Sequence, residues 1–211
     1  MSSVAITGNA AGAGVFTIAS PNSASSFTAT LPAATTTLVG TDATQTLTNK
    51  TLGSGLVAGA SLITSGTAVA TTSGTSIDFT GIPSWVKRIT VMMNGVSTNG
   101  TSIVIAQLGT GAGPTYTTTG YVSSSNATTS TVGLIVAGAG SAADTRLGSI
   151  VICNYSSNIW NASAVGALAN GAGAITAGGY ISLAAVLTAV RITTVNGTDT
   201  FDAGSINLLF E

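Results

Sequence analysis

The chain has 211 residues, 5% of them charged, and a formal net charge of −1. Typical soluble proteins carry about 25% charged residues. The five basic residues, Lys50, Lys87, Arg88, Arg146 and Arg191, include one adjacent pair, which excludes the clustered footprint of a nucleic-acid binder.

No histidine is present, so Ser-His-Asp and Cys-His catalysis in their usual forms, and His-containing metal sites, are excluded. No run of about 20 apolar residues is available to cross a membrane. The longest are short, such as Ile103-Val104-Ile105-Ala106, and membrane insertion is not expected. Disorder competes as a reading of a Gly/Ser/Thr-rich chain. It is rejected for most of the length because Val, Ile, Leu and Phe recur at strand spacing.

Residues 1–40 read as an N-terminal β stem. Met1-Ser2-Ser3-Val4 lacks a basic segment leading into an apolar one, so no signal peptide is expected. Strand candidates lie at 4–7 and 14–18, and Pro21-Asn22-Ser23 is a turn signal. Phe27, Ala29 and Leu31 then alternate with polar residues up to Pro32. Strands this short and few are marginal in water. Copies of the same segment are the simplest cover, and a homotrimer would bring Phe16, Phe27 and Leu31 together on one axis.

Residues 41–66 read as a neck and linker. Asp42 with Gln45 has capping-box spacing, Leu47 and Thr51 lie four apart, Lys50 suits a helix C-terminus, and Gly53 and Gly55 would end the helix. A two-turn helix is unstable alone, so Leu47 and Leu52 are expected to meet partner chains. Residues 53–66 are punctuated by glycine and serine.

These residues also carry a resemblance. Leu31-Pro32, Thr37-Leu38-Val39-Gly40 and Asp42-Ala43-Thr44-Gln45-Thr46-Leu47-Thr48-Asn49-Lys50-Thr51-Leu52 resemble the neck segment of tailed-bacteriophage virion proteins, among them tail fibres and other surface appendages. The match covers roughly residues 26–52. It implies a virion-surface protein made in a host bacterial cytoplasm.

Residues 67–211 read as a C-terminal knob. Strands are expected at 68–71, 76–79, 88–94, 102–108, 120–123, 131–136, 147–154, 159–165, 180–183, 189–194 and 205–210. Asn99-Gly100 and Asn196-Gly197 are tight-turn dipeptides; 109–114, 138–140 and 170–173 read as longer loops. The run 182–190 is ambiguous with helix and is read as strand-loop-strand. Many strands without helical periods indicate an all-β fold, an antiparallel, jelly-roll-like β-sandwich. Ile89, Val91 and Met93 share one face of their strand; Ile206, Leu208 and Phe210 share one face of the last. The opening 78–92 and the ending 191–208 resemble the first and last strands of a knob domain of phage fibre-type proteins. That resemblance implies a trimeric β-sandwich and no particular ligand.

Chemistry is sparse. Asp199 and Asp202 flank a turn, where bonding to turn amides is expected and a Ca²⁺ site is the alternative. Asp144 and Arg146 read as a surface ion pair; if Arg146 or Arg191 were buried at a trimer axis, Asp144 or Asp202 would be its partner. Cys153 reads as a buried structural thiol. Gly109-Thr110-Gly111-Ala112-Gly113 lacks the Gly-Lys-Ser/Thr of a phosphate loop. Tyr116, Tyr121, Tyr155 and Trp160 are the candidate glycan-binding aromatics. Tyr116 and Tyr121 are expected to be exposed, Tyr155 and Trp160 bracket a hairpin, and core packing is the better reading of Trp160.

The expectation is a non-enzymatic structural protein of a virion without cofactor or metal. It would be a homotrimeric fibre or decoration protein contacting other virion proteins of capsid or tail. The alternative is a short tail fibre whose knob grips a host glycan. A polysaccharide depolymerase would need a carboxylate pair and usually a long repetitive β-helix, and neither is visible.

Overall fold

The computed structural model describes residue 12 and residues 24–26, 63–126, 128–137, 140–170 and 173–211. Residue 12 and residues 24–26 belong to one compact unit, Met1–Leu56; the others belong to a second, Val57–Glu211. The stem strands, the neck helix and the expected subunit contacts Phe16, Phe27, Leu31, Leu47 and Leu52 lie outside the described residues.

Among the described residues the fold is all-β, without helix. The strands are β1 (Thr64–Ser65), β2 (Val69–Ala70), β3 (Ser76–Thr80), β4 (Arg88–Thr98), β5 (Val104–Thr110), β6 (Thr115–Tyr116) and β7 (Val122–Ser125). They continue as β8 (Thr128–Ser130), β9 (Leu134–Ala137), β10 (Arg146–Ser156), β11 (Ile159–Leu168), β12 (Gly173–Ser182), β13 (Leu187–Thr194) and β14 (Phe201–Phe210). Two antiparallel sheets result. The larger runs β1-β14-β4-β10-β11-β12-β7-β8, with β2 also on β14; the smaller runs β3-β13-β5-β6, with β9 also on β5.

One apolar core joins the sheets. Ile89, Val91 and Met93 of β4 are buried between the charged Arg88 and the polar Asn94, as the alternation requires. Ile150 and Ile152 of β10, Ile206 and Leu208 of β14, and Val190 and Ile192 of β13 complete it. Each such side chain stabilises by about 1.5–3 kcal/mol on burial. The last strand, β14, pairs with β4 from Phe201↔Thr98 to Phe210↔Ile89, closing the larger sheet early against late in the chain. Strand β5 departs from alternation: Val104 through Gly109 are all buried. It is central in its sheet, and Gly133 presses on the outward side chain of Ile105, where a Cβ would stand 2.7 Å from the Ile105 Cδ1.

The strand-loop-strand reading of 182–190 holds, with β12 ending at Ser182 and β13 starting at Leu187. Strand β12, however, begins at Gly173, where a loop and then no strand before 180 were expected. Its glycines and alanines carry no period-2 signal, yet they let neighbours close in: a Cβ on Gly179 would lie 2.7 Å from the Ser123 side chain. Strand β14 starts at Phe201 rather than 205, because its first residues pair through two register shifts. Gly204, at φ 90°, packs there against the Gly95 backbone.

Cys153 is exposed, not buried. Alternation turns Ile150 and Ile152 inward and so turns Cys153 out. Arg146 is the reverse case. It shares the inward parity of those isoleucines and is fully buried within its own chain, so the expected surface pair with Asp144 is an interior one.

Candidate functional site

Three loops meet at one end of the sandwich. The first follows β3, turning at Gly81 (φ 74°) into residues 82–87. The second is the tip of the β10–β11 hairpin, where Ser157 takes φ 47°. The third joins β12 to β13. Backbone bonds fix them: Leu183 N–H donates to the Asn158 carbonyl at 3.0 Å, Ile82 N–H to Thr188 at 3.0 Å, and Asn154 N–H to Lys87 at 2.8 Å. The chain end joins the same corner. Lys87 and Arg88 N–H donate to the Glu211 carbonyl, and the Arg88 guanidinium pairs with the Glu211 carboxylate.

A cavity of about 70 Å³ lies between the loops. Ile82, Val86, Val186 and Leu187 give it apolar walls, and Lys87, Asn154 and Asn158 line its polar side. Trp160 also lines it, is 4% exposed, and has an indole N–H with no acceptor in the protein. An unmet buried donor of this kind costs about 1–3 kcal/mol. Asn154 donates its side-chain amide to the carbonyls of Ser157 (2.9 Å) and Ile159 (3.2 Å), which leaves its Oδ1 as an acceptor.

The four candidate aromatics do not converge. Tyr155 is 73% exposed at the hairpin, whereas Trp160 is in the core beside the cavity. Tyr121, expected to be exposed, is 1% exposed. Its hydroxyl accepts the Leu108 N–H at 2.7 Å, and burial pushes its pKa up to about 12. Tyr116 is half-buried on the other sheet, its ring under the Arg191 guanidinium at 4.0 Å. Burial, then the nearby Asp78 carboxylate, raise its pKa. Trp85, not among the candidates, is half-exposed and tilts against Phe210 with ring centroids 5.9 Å apart.

A second, open groove of about 290 Å³ crosses the outer face of the smaller sheet past Gln107, Thr118, Arg191 and Thr193. Arg191 is already engaged there, making two 2.7 Å bonds to Asp78. Those bonds raise its pKa and satisfy its charge.

At the opposite turn the expected role of Asp199 passes to Asn196. The Asn196 Oδ1 accepts the N–H groups of Thr198 (3.1 Å) and Asp199 (3.2 Å). Asp199 reaches across instead, accepting the Ser102 N–H at 2.9 Å and the Asn196 side-chain amide at 2.6 Å. Those bonds hold its carboxyl below the usual carboxylate range. A Cβ at Gly100 would run into that carboxylate, so glycine there leaves it room for these bonds. Among the described residues no three carboxylate or thiol groups gather as metal ligands.

Buried Arg146 sits 3.9 Å from the Asp144 carboxylate. Its Nη1 makes a long 3.4 Å bond to the Asp144 carbonyl, and Nε and Nη2 have no acceptor. Burial lowers its pKa, against the attraction of Asp144 and Asp202. Asp144 itself accepts the Ser141 N–H (2.8 Å) and the Asn170 amide (3.0 Å).

Comparison with protein families, curated proteins and solved structures returns no match.

Proposed function

We propose that this chain is a non-enzymatic structural subunit of a tailed-bacteriophage virion: a homotrimeric surface fibre or decoration protein, anchored by residues 1–40 and displaying residues 67–211 as a jelly-roll knob. The observation that carries this reading is the neck sequence ending in Thr48-Asn49-Lys50-Thr51-Leu52. The knob's surface agrees with it. The outward faces of β10, β11 and β12 carry no charged side chain, and they expose Val165 and Tyr180. Such a face suits contact with a copy of itself.

The loop-end cavity, with polar Lys87, Asn154 and Asn158 on one side, favours a second reading, a short tail fibre whose knob grips a host-surface glycan. Immunogold electron microscopy of particles with antibody against the knob tests both, since label on the head supports decoration and label at the tail tip supports receptor binding. Unlabelled particles would refute both. Light scattering at micromolar concentration should give about three times the 20.4 kDa chain mass; a monomer would refute the trimer.

A further inference from the structure

We propose that Asn99 is a self-modification site, converting spontaneously to aspartate and isoaspartate through a cyclic imide formed with the Gly100 nitrogen.

Asn-Gly occurs at Asn94, Asn99, Asn170 and Asn196. A following glycine favours this ring closure, because no Cβ hinders the approach of its nitrogen to the asparagine Cγ. The fold separates the pairs by what holds each reacting group. Asn94 lies inside β4, opposite Ser205 of β14, and the ladder keeps its backbone extended. Asn170 donates its side-chain amide to the Ala143 carbonyl at 3.3 Å and to the Asp144 carboxylate at 3.0 Å. Asn196 donates its own to Asp199 at 2.6 Å, and the Gly197 N–H, which would be the nucleophile there, donates to the Thr194 carbonyl at 3.0 Å. Asn99 lacks these restraints. It is exposed just past the end of β4, and among the described residues neither its side-chain nitrogen nor the Gly100 N–H donates a hydrogen bond. Its Oδ1 accepts the Thr200 N–H at 2.9 Å. That bond polarises Cγ and stabilises the charge that develops on the oxygen as the nitrogen adds.

The conversion needs only water. The Gly100 nitrogen bonds to Cγ and gives its proton to solvent, and the side-chain nitrogen leaves as ammonia. Water then opens the imide at either carbonyl, giving aspartate or isoaspartate. Each event adds one negative charge to a chain whose net charge is −1. Isoaspartate also lengthens the main chain by a methylene, beside the 2.9 Å bond from the Asn99 N–H to the Thr200 carbonyl.

The full-length chain is incubated at neutral pH, folded and in guanidinium chloride, and each Asn-Gly pair is followed by peptide mass spectrometry with fragmentation that distinguishes isoaspartate. In the folded chain Asn99 should convert at least about tenfold faster than Asn94, Asn170 or Asn196, since each of those must first leave a ladder or break a hydrogen bond. In denaturant the pairs share one local chemistry, and the preference should fall below about threefold, the spread left to residual structure and flanking residues. The folded rate at Asn99 should equal or exceed its unfolded rate, because the Thr200 donor is present only in the fold. A smaller folded preference, an Asn99 that converts more slowly folded than unfolded, or an undiminished preference in denaturant would each overturn the proposal.

Discussion

Replacing Arg146 with methionine tests the interior charge of the knob. The guanidinium is fully buried, two of its nitrogens have no acceptor, and its nearest carboxylate is 3.9 Å away. Unmet buried donors cost about 1–3 kcal/mol each. Exchanging both members of a buried ion pair for apolar residues is often neutral or stabilising, whereas removing one strands the other unless hydrogen bonds hold it. Methionine keeps most of the length, and Asp144 keeps its bonds from Ser141 and Asn170. Arg146→Met should therefore hold stability or raise it by about 1–3 kcal/mol. Asp144→Asn does the opposite. It leaves a fully buried cation without its nearest counter-charge, at about 3–5 kcal/mol.

In a chain of this size 1 kcal/mol moves the melting point by about 2–4 °C, so the two variants should separate by at least about 6 °C. Thermal and urea unfolding should be run at one fixed protein concentration, because oligomers melt higher when concentrated. A loss of more than about 2 kcal/mol in Arg146→Met would refute the reasoning, since it would mean that the guanidinium has acceptors.

Tyr121→Phe should destabilise by about 1–3 kcal/mol in urea unfolding, because it strands the buried Leu108 N–H; an unchanged midpoint would show that donor to be satisfied elsewhere. Asp199 has a carboxyl held below its ordinary 3.8 in the folded protein, so its contribution is complete above that value and is lost as pH falls through the lower folded one. Asp199→Asn should accordingly flatten the acid limb of a melting-point-against-pH profile below about pH 4, and an unchanged limb would count against the role of the Ser102 and Asn196 bonds. Leu47→Asp or Leu52→Asp should lower the trimer fraction in light scattering while the knob's melting transition persists; trimerisation of residues 67–211 alone, as tight as in the full chain, would reduce the neck to a linker.

What the sequence made legible was the strong alternation. Ile89, Val91 and Met93 faced inward as expected because polar neighbours marked the other face. The same rule, carried along β10 from Ile150, would have buried Arg146 and exposed Cys153; residue type overrode parity in that reading. Strand β12 was hidden because glycine and alanine fit either face. Tyr121 was misplaced because its polar neighbours suggested a loop, while its burial is decided by an N–H on β5. The cavity was not legible at all. Its walls come from residues near 82–87, 154–160 and 186–187, and no local pattern signals that three loops will meet.

The distribution of charge bears on how such a chain associates. A net charge of −1 supplies almost no repulsion between copies. Exposed strand edges would then be the hazard, because their unpaired backbone groups template further strands. Here the edges are blunted. Strands β1, β2 and β6 are two residues long, β8 three and the buried β9 four, while the edge strand β3 carries Asp78. The broad outward face of β10, β11 and β12 has no such protection. Short or charged edges beside a wide uncharged face favour association through faces, which can close into a symmetric oligomer, over edge pairing, which propagates. That distribution supports the homotrimeric knob proposed above.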